Sequence, residues 1–302
     1  MTYEEEIETY MSRLMSRNLA QTTIEHYGYV LKHCLEILER NGLNSSAYRI
    51  GREEITFLLV SLDVSEATKK DYLQILGKMC RNYAGRDPVA DMDMMWNSPQ
   101  RKRSFIETDD LRTLIDNADR TTRMVLILGA FMGMRRKEIA GMTEEDILED
   151  CIIIHGKGHG PEGNVRRQPM PPMVKREIKD YIRWKDGLDL PDMSGGRVIV
   201  FEKYGCLYSF IGRLTTMTNR ITRLGKKLDI DVSCHTLRRL FCTMLITQGC
   251  PLETVKVLMR HESLDTTLKC YVNPFKLRTE EWSYRCASSF GPLPKKEKTV
   301  KG

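Results

Sequence analysis

The sequence contains no apolar stretch long enough to cross a membrane. Its longest apolar run, Met124 to Met132, is about half of the ~20 residues a spanning helix needs. The 9 cysteines include no Cys-x-x-Cys pair; their number is odd and their spacing scattered. Neither a zinc knuckle nor a disulfide framework is supported, and reduced thiols in a cytoplasmic protein are the expectation. The opening residues Met1-Thr2-Tyr3-Glu4-Glu5-Glu6 are acidic and unlike a secretory signal. No carboxylates stand at metal-ligand spacing, which fits chemistry without a metal or other cofactor. A long internal repeat and low-complexity tracts are also missing. Nor is there a large charge excess: 47 Lys plus Arg against 41 Asp plus Glu leave a formal net charge of +6. That bias permits a nucleic-acid partner without establishing one.

What remains is a globular composition, 41% hydrophobic and 29% charged over 302 residues, enough for one large domain or two of ordinary size. In the first third, Ile7, Tyr10, Met11, Leu14 and Met15 recur at helical spacing, as do Ile24, Tyr27, Leu31, Leu35 and Leu38. A third helix is expected over residues 52–62. A fourth should run from Ser65, a good N-cap, to about Tyr83. Residues 1–87 thus read as a helical unit. Residues 88–104, with prolines and the triplet Arg101-Lys102-Arg103, read as a linker. Residues 105–290 form a larger domain, and 291–302 a basic tail. Within the larger domain Thr108-Asp109-Asp110 caps a helix, and the continuous apolarity of 123–132 marks a buried one. The β-branched run Cys151-Ile152-Ile153-Ile154-His155 reads as a strand. It turns through the glycine-rich 156–163 and returns over 165–170. Further helices are expected over 209–227, 237–247, 251–259 and 264–271. The fold class is mainly α with a small antiparallel β-sheet.

The chemistry-bearing residues fall in one order. Arg135 lies in Gly133-Met134-Arg135-Arg136-Lys137-Glu138, and Lys157 in the turn Gly156-Lys157-Gly158. His235 and Arg238 share His-Thr-Leu-Arg. His261 precedes Glu-Ser, and Tyr271 ends Thr-Thr-Leu-Lys-Cys-Tyr. Three cations, two imidazoles and a phenol suit attack on a phosphodiester. Arginines offer forked donors to non-bridging oxygens, a lysine or histidine can protonate a leaving oxygen, and tyrosine can be the nucleophile. Singly each has a bland reading. Arg135 and Glu138 could be a surface ion pair, Gly-Lys-Gly an ordinary hairpin turn, and Tyr271 a packed aromatic.

Together these motifs resemble the tyrosine recombinases, the phage-type integrases and Xer-type enzymes. The resemblance covers about the last two thirds of the chain, with a weaker echo in the first third. It implies a helical core-binding domain followed by an α+β catalytic domain. It also implies that Arg135, Lys157, His235, Arg238, His261 and Tyr271 are the catalytic set. The implied reaction is cleavage and rejoining of duplex DNA through a 3′-phosphotyrosine, without metal or ATP. The implied assembly is a homotetramer on two recombination sites, with accessory DNA-bending proteins left open. Four departures stand out: Arg239 replaces a usual histidine, Arg260 replaces the usual glycine before the late histidine, Arg136 and Lys137 make the first box unusually basic, and Tyr271 follows His261 by ten residues where many members have nine. Lys69, Lys70, Arg101, Arg103 and Arg136 are candidates for phosphate contacts. A type IB topoisomerase-like nicking and closing enzyme, or a DNA-binding protein of the same fold without catalysis, are the alternatives.

Overall fold

The computed structural model describes residues 2–17, 19, 21–90, 92, 105–156, 164–261 and 263. The chain divides into two compact units, Met1–Lys102 and Arg103–Gly302.

In the first unit, α1 (Tyr3–Ser16), α2 (Gln21–Arg40), α3 (Arg52–Ser61) and α4 (Glu66–Ala84) follow in chain order. Local chemistry sets their ends. Thr2 and Glu5 form a capping box at α1, Ser65 accepts from the Thr68 N–H at α4, and Gly85 closes α4 in the left-handed region. The longest apolar stripe lies on α2, and α1, α3 and α4 all pack on that helix. Leu31, Leu35 and Leu38 are buried there with Leu73, Leu76 and Met79 of α4. Tyr10 and Leu14 of α1 are buried as their spacing predicts, whereas Met15 is exposed, one position past the stripe.

The second unit opens with α5 (Thr108–Asp116), α6 (Arg120–Met132) and the short α7 (Arg136–Gly141). Strands β1 (Cys151–Gly156) and β2 (Asn164–Pro169) form the expected antiparallel hairpin, with Ile152 opposite Gln168 and Gly156 opposite Asn164. Helix α8 (Pro172–Asp186) follows. Then comes a second sheet that the sequence reading misses, β3 (Asp192–Met193), β4 (Val200–Lys203) and β5 (Cys206–Ser209), in the order β3-β5-β4. Its strands are two to four residues long, too short for an alternation pattern. The helix expected from Ser209 therefore starts later, as α9 (Leu214–Lys227), because Ser209 is the last residue of β5. The unit continues with α10 (Cys234–Thr247) and α11 (Leu252–Met259). The expected helix over 264–271 lies outside the described residues, as do Lys157, Tyr271, Arg101 and Arg103.

Helix α6 is the apolar spine of this unit, and α10 lies along it at close range. A β-carbon on Gly129 would stand 3.0 Å from Leu237 Cβ, and one on Gly133 2.4 Å from a Phe241 ring carbon. The two glycines, one turn apart, thus admit α10 against the end of α6. Gly133 also has a φ of 56°, which ends α6 and turns the chain into the next box.

Candidate active site

The site is assembled where four chain segments meet: the α6–α7 junction, β2, the start of α10 and the end of α11. Arg135 is the N-cap residue of α7. Its N–H donates to Glu138 Oε2 at 2.7 Å, and its Nη1 donates to Glu138 Oε1 at 2.7 Å. One glutamate therefore caps the helix and aims the arginine. Arg135 Nη2 donates to the Arg260 carbonyl at 2.9 Å, tying α7 to the end of α11. Its side chain stays 37% exposed.

Arg238 lies on the first turns of α10, which Ser233 and Thr236 cap. It is 4% exposed, and its two Nη atoms donate to the Gly133 and Met259 carbonyls. These are the end carbonyls of α6 and α11, where a cation meets the negative helix pole. His235, on the same turn, is exposed.

His261 follows the end of α11. Its N–H bonds the Lys256 carbonyl at 3.1 Å, and the Arg260 N–H bonds Val257 at 3.0 Å, the paired bonds of a Schellman turn. Burial, then the charges of Arg238, Arg135, Arg260 and His235, push the His261 pKa from 6.5 down to about 4. The imidazole is therefore neutral at pH 7 and able to accept a proton. The same influence shows that these five side chains share one electrostatic neighbourhood.

Glu138 is 7% exposed and its carboxyl is held below the usual range. Burial works against ionisation there, but Arg260 and Arg135 together outweigh it. Arg260 sits at the left-handed position of the turn, φ 54°, a conformation that costs a non-glycine residue roughly 1–2 kcal/mol. Its Nη2 donates to Gly133 O and Glu138 Oε2, each at 2.8 Å. Its Nη1 donates to Leu258 O at 3.0 Å and to Gln168 Oε1. Gln168 in turn donates to the Met132 carbonyl at 2.7 Å.

Four of the six sequence-predicted catalytic residues, Arg135, His235, Arg238 and His261, thus fall in one neighbourhood. Lys157 and Tyr271 lie outside the described residues. Among the phosphate-contact candidates, Arg136 is exposed, with Nη1 3.5 Å from Thr218 Oγ1. Lys70 is half-buried. Lys69 donates to the Leu59 carbonyl at 2.8 Å and pairs with Glu66 at 3.3 Å, which binds it to the last turn of α3. Sequence reasoning misses Gln168 and the Gly133 carbonyl. Gln168 is buried in β2 between exposed Arg167 and Pro169, two residues before buried Met170, and a polar residue in register with that apolar position is a usable signal. Among the described residues no three His, Cys, Asp or Glu converge to hold a metal ion, and no helix is long and apolar enough to cross a membrane.

A mixed helical unit carrying two arginines and a neutral histidine at facing helix ends defines the class, and comparison with known proteins gives the family. Residues 104–278, more than half of the chain, match the phage integrase family, and the chain belongs to that family, the site-specific tyrosine recombinases. It is 25% identical over 284 residues to tyrosine recombinase XerD of Shewanella oneidensis, covering 88% of this chain and 90% of the relative. The fold resembles the Tn1549 transposon integrase solved with transposon right end DNA (TM-score 0.70, 15% identity, 95% of this chain and 100% of that one). It also resembles a lambda integrase tetramer bound to a Holliday junction (TM-score 0.67, 18% identity, 89% of this chain and 77% of that one).

Proposed function

We propose that this recombinase cleaves and rejoins duplex DNA through a 3′-phosphotyrosine formed on Tyr271. The Tyr271 hydroxyl attacks the phosphorus, the bond from phosphorus to the 5′ oxygen breaks, and Lys157 supplies the proton that oxygen needs. Neutral His261 accepts the phenolic proton. His235 borders the same anion. Arg135 and Arg238 offset the charge that builds on the non-bridging oxygens, about 3–4 kcal/mol for one well-placed donor. The ester energy is kept in the covalent link, so rejoining to another strand needs neither ATP nor a cofactor. The observation that carries the reading is the gathering of Arg135, Arg238 and a histidine held neutral at pH 7 around the end of α11. The roles of Tyr271 and Lys157 rest on their motifs.

Exchange between two duplexes takes four cuts, so the working unit is a homotetramer on two sites; the lambda integrase neighbour is a tetramer bound to a Holliday junction. The first unit is the core-binding domain, with Lys69, Lys70, Arg101, Arg103 and Arg136 as phosphate contacts of the whole chain. A nicked suicide duplex tests the chemistry. The wild-type chain should form an SDS-stable protein–DNA adduct, and Tyr271→Phe should form none while still binding the duplex. An adduct on Tyr271→Phe would move the nucleophile elsewhere, with Tyr284 the next candidate.

A further inference from the structure

Arg260 is the residue whose placement the catalytic set does not account for. A Schellman turn asks for glycine at this position, and a glycine would close α11 without steric cost. The chain instead puts a long cation in the left-handed region and buries it to 5% side-chain exposure. Burial lowers the guanidinium's own pKa from its ordinary value against the pull of Glu138. Its Nε is buried without a hydrogen-bond partner among the described residues. The placement is costly on every local count. The partners explain it, because all but one hold the site. Glu138 aims Arg135. Gly133 O also receives Arg238. Gln168 fixes β2 to the end of α6. The Arg260 carbonyl receives Arg135.

We infer that Arg260 is a positioning residue for strand cleavage: it locks Glu138, Gly133 and Gln168 around Arg135 and keeps that cluster cationic. Two guanidiniums, Arg135 and Arg260, face one carboxylate, Glu138, and leave one net positive charge for the phosphate. Without Arg260 the carboxylate would neutralise Arg135 alone, and Arg135 would lose its set orientation. Small displacements of such a group cost large factors in rate. The inference rests on the cleavage reading above, and its test separates the two.

Single-turnover cleavage of the nicked duplex is measured at saturating protein, beside affinity for the same duplex, for the wild type, Arg260→Gly and Arg260→Lys. Arg260→Gly relieves the turn and should fold. It should cleave at least about tenfold more slowly with affinity within about twofold, a loss in the chemical step alone. The Arg260 charge that helps lower the His261 pKa, beside burial and the guanidiniums of Arg238 and Arg135, is then gone, so the acid limb of the pH–rate profile should move to higher pH. Arg260→Lys should return the acid limb toward that of the wild type but only part of the rate, because an ammonium cannot bridge the same acceptors. Wild-type rate and acid limb in Arg260→Gly would overturn the inference. Should Arg260→Gly fail to fold, a wild-type rate in Arg260→Lys would overturn it equally. A wild-type protein that forms no adduct would instead sink the cleavage reading.

Discussion

Glu6 in the first unit and Glu138 in the second are both buried glutamates, 1% and 7% exposed, yet their partners differ in kind. Glu6 accepts from Ser46 Oγ at 2.6 Å and from the Ala47 N–H at 2.7 Å, two neutral donors on the loop between α2 and α3. The Tyr83 hydroxyl donates to the Glu6 backbone carbonyl at 2.6 Å and brings α4 to the same place. Every bond here pins one element to another. Glu138 accepts from two guanidiniums and a backbone N–H, and one of those guanidiniums remains open to solvent. A carboxylate satisfied by neutral donors fixes a loop. A carboxylate outnumbered by cations leaves a positive site held in shape. Burial alone does not separate the two roles; the charge of the partners does.

The largest effects should come from the cations of the second unit. Arg135→Ala and Arg238→Lys should each slow single-turnover cleavage by at least about a hundredfold, the scale of one lost oxyanion donor. Lysine should rescue Arg238 poorly because it cannot serve the Gly133 and Met259 carbonyls with one fork. Full activity of Arg238→Lys would dissolve the distinction between a catalytic and a merely buried arginine.

The comparison itself is tested by the matched pair Glu138→Gln and Glu6→Gln. Weakening a charged hydrogen bond to Arg135 should slow cleavage by about tenfold in Glu138→Gln, the equivalent of ~1.4 kcal/mol. Glu6→Gln should lower unfolding free energy by about 1–3 kcal/mol in urea titrations and leave cleavage per folded molecule unchanged. Equal effects of the two substitutions on cleavage would mean that partner charge is no guide to role.

Much of this was legible in the residues. Periodicity placed α1 to α4 and the Leu31, Leu35, Leu38 stripe, because a four-helix unit buries one face of each helix and little else decides it. The second sheet was not legible, since pairing among two- to four-residue strands is decided by tertiary contact and not by pattern. In the site, the boxes point to Arg135, His235, Arg238 and His261. Arg260 stands out in the sequence only as a departure from a usual glycine. That its side chain turns inward onto Glu138 and Gln168 depends on three segments far apart in sequence, which no local reading joins. The first unit is the converse case: its fold is readable, but the bond from Lys69 Nζ to the Leu59 carbonyl, which joins α4 to the end of α3, is not.

The smallest expected effect is a pH dependence that belongs to the second unit. The His261 pKa falls from 6.5 to about 4 on folding, so between those values the unfolded chain binds more protons than the folded one. Folding stability from this group is then fully present above pH 6.5 and declines as pH falls toward 4. Glu138 has the opposite charge but the same sign of linkage. Its carboxyl is depressed below 4.5, and its contribution is lost only in more acid solution, as pH falls through the folded value. The two windows can therefore be told apart. Urea unfolding of the wild type at pH 7.0, 6.0 and 5.0 should show falling stability, by less than the ~1.4 kcal/mol per pH unit of one full proton, because His261 is only half-buried. His261→Gln should flatten that decline, and Glu6→Gln should leave its slope unchanged. An unchanged slope in His261→Gln would place the titrating group elsewhere and remove the evidence that burial and the neighbouring arginines keep this imidazole neutral.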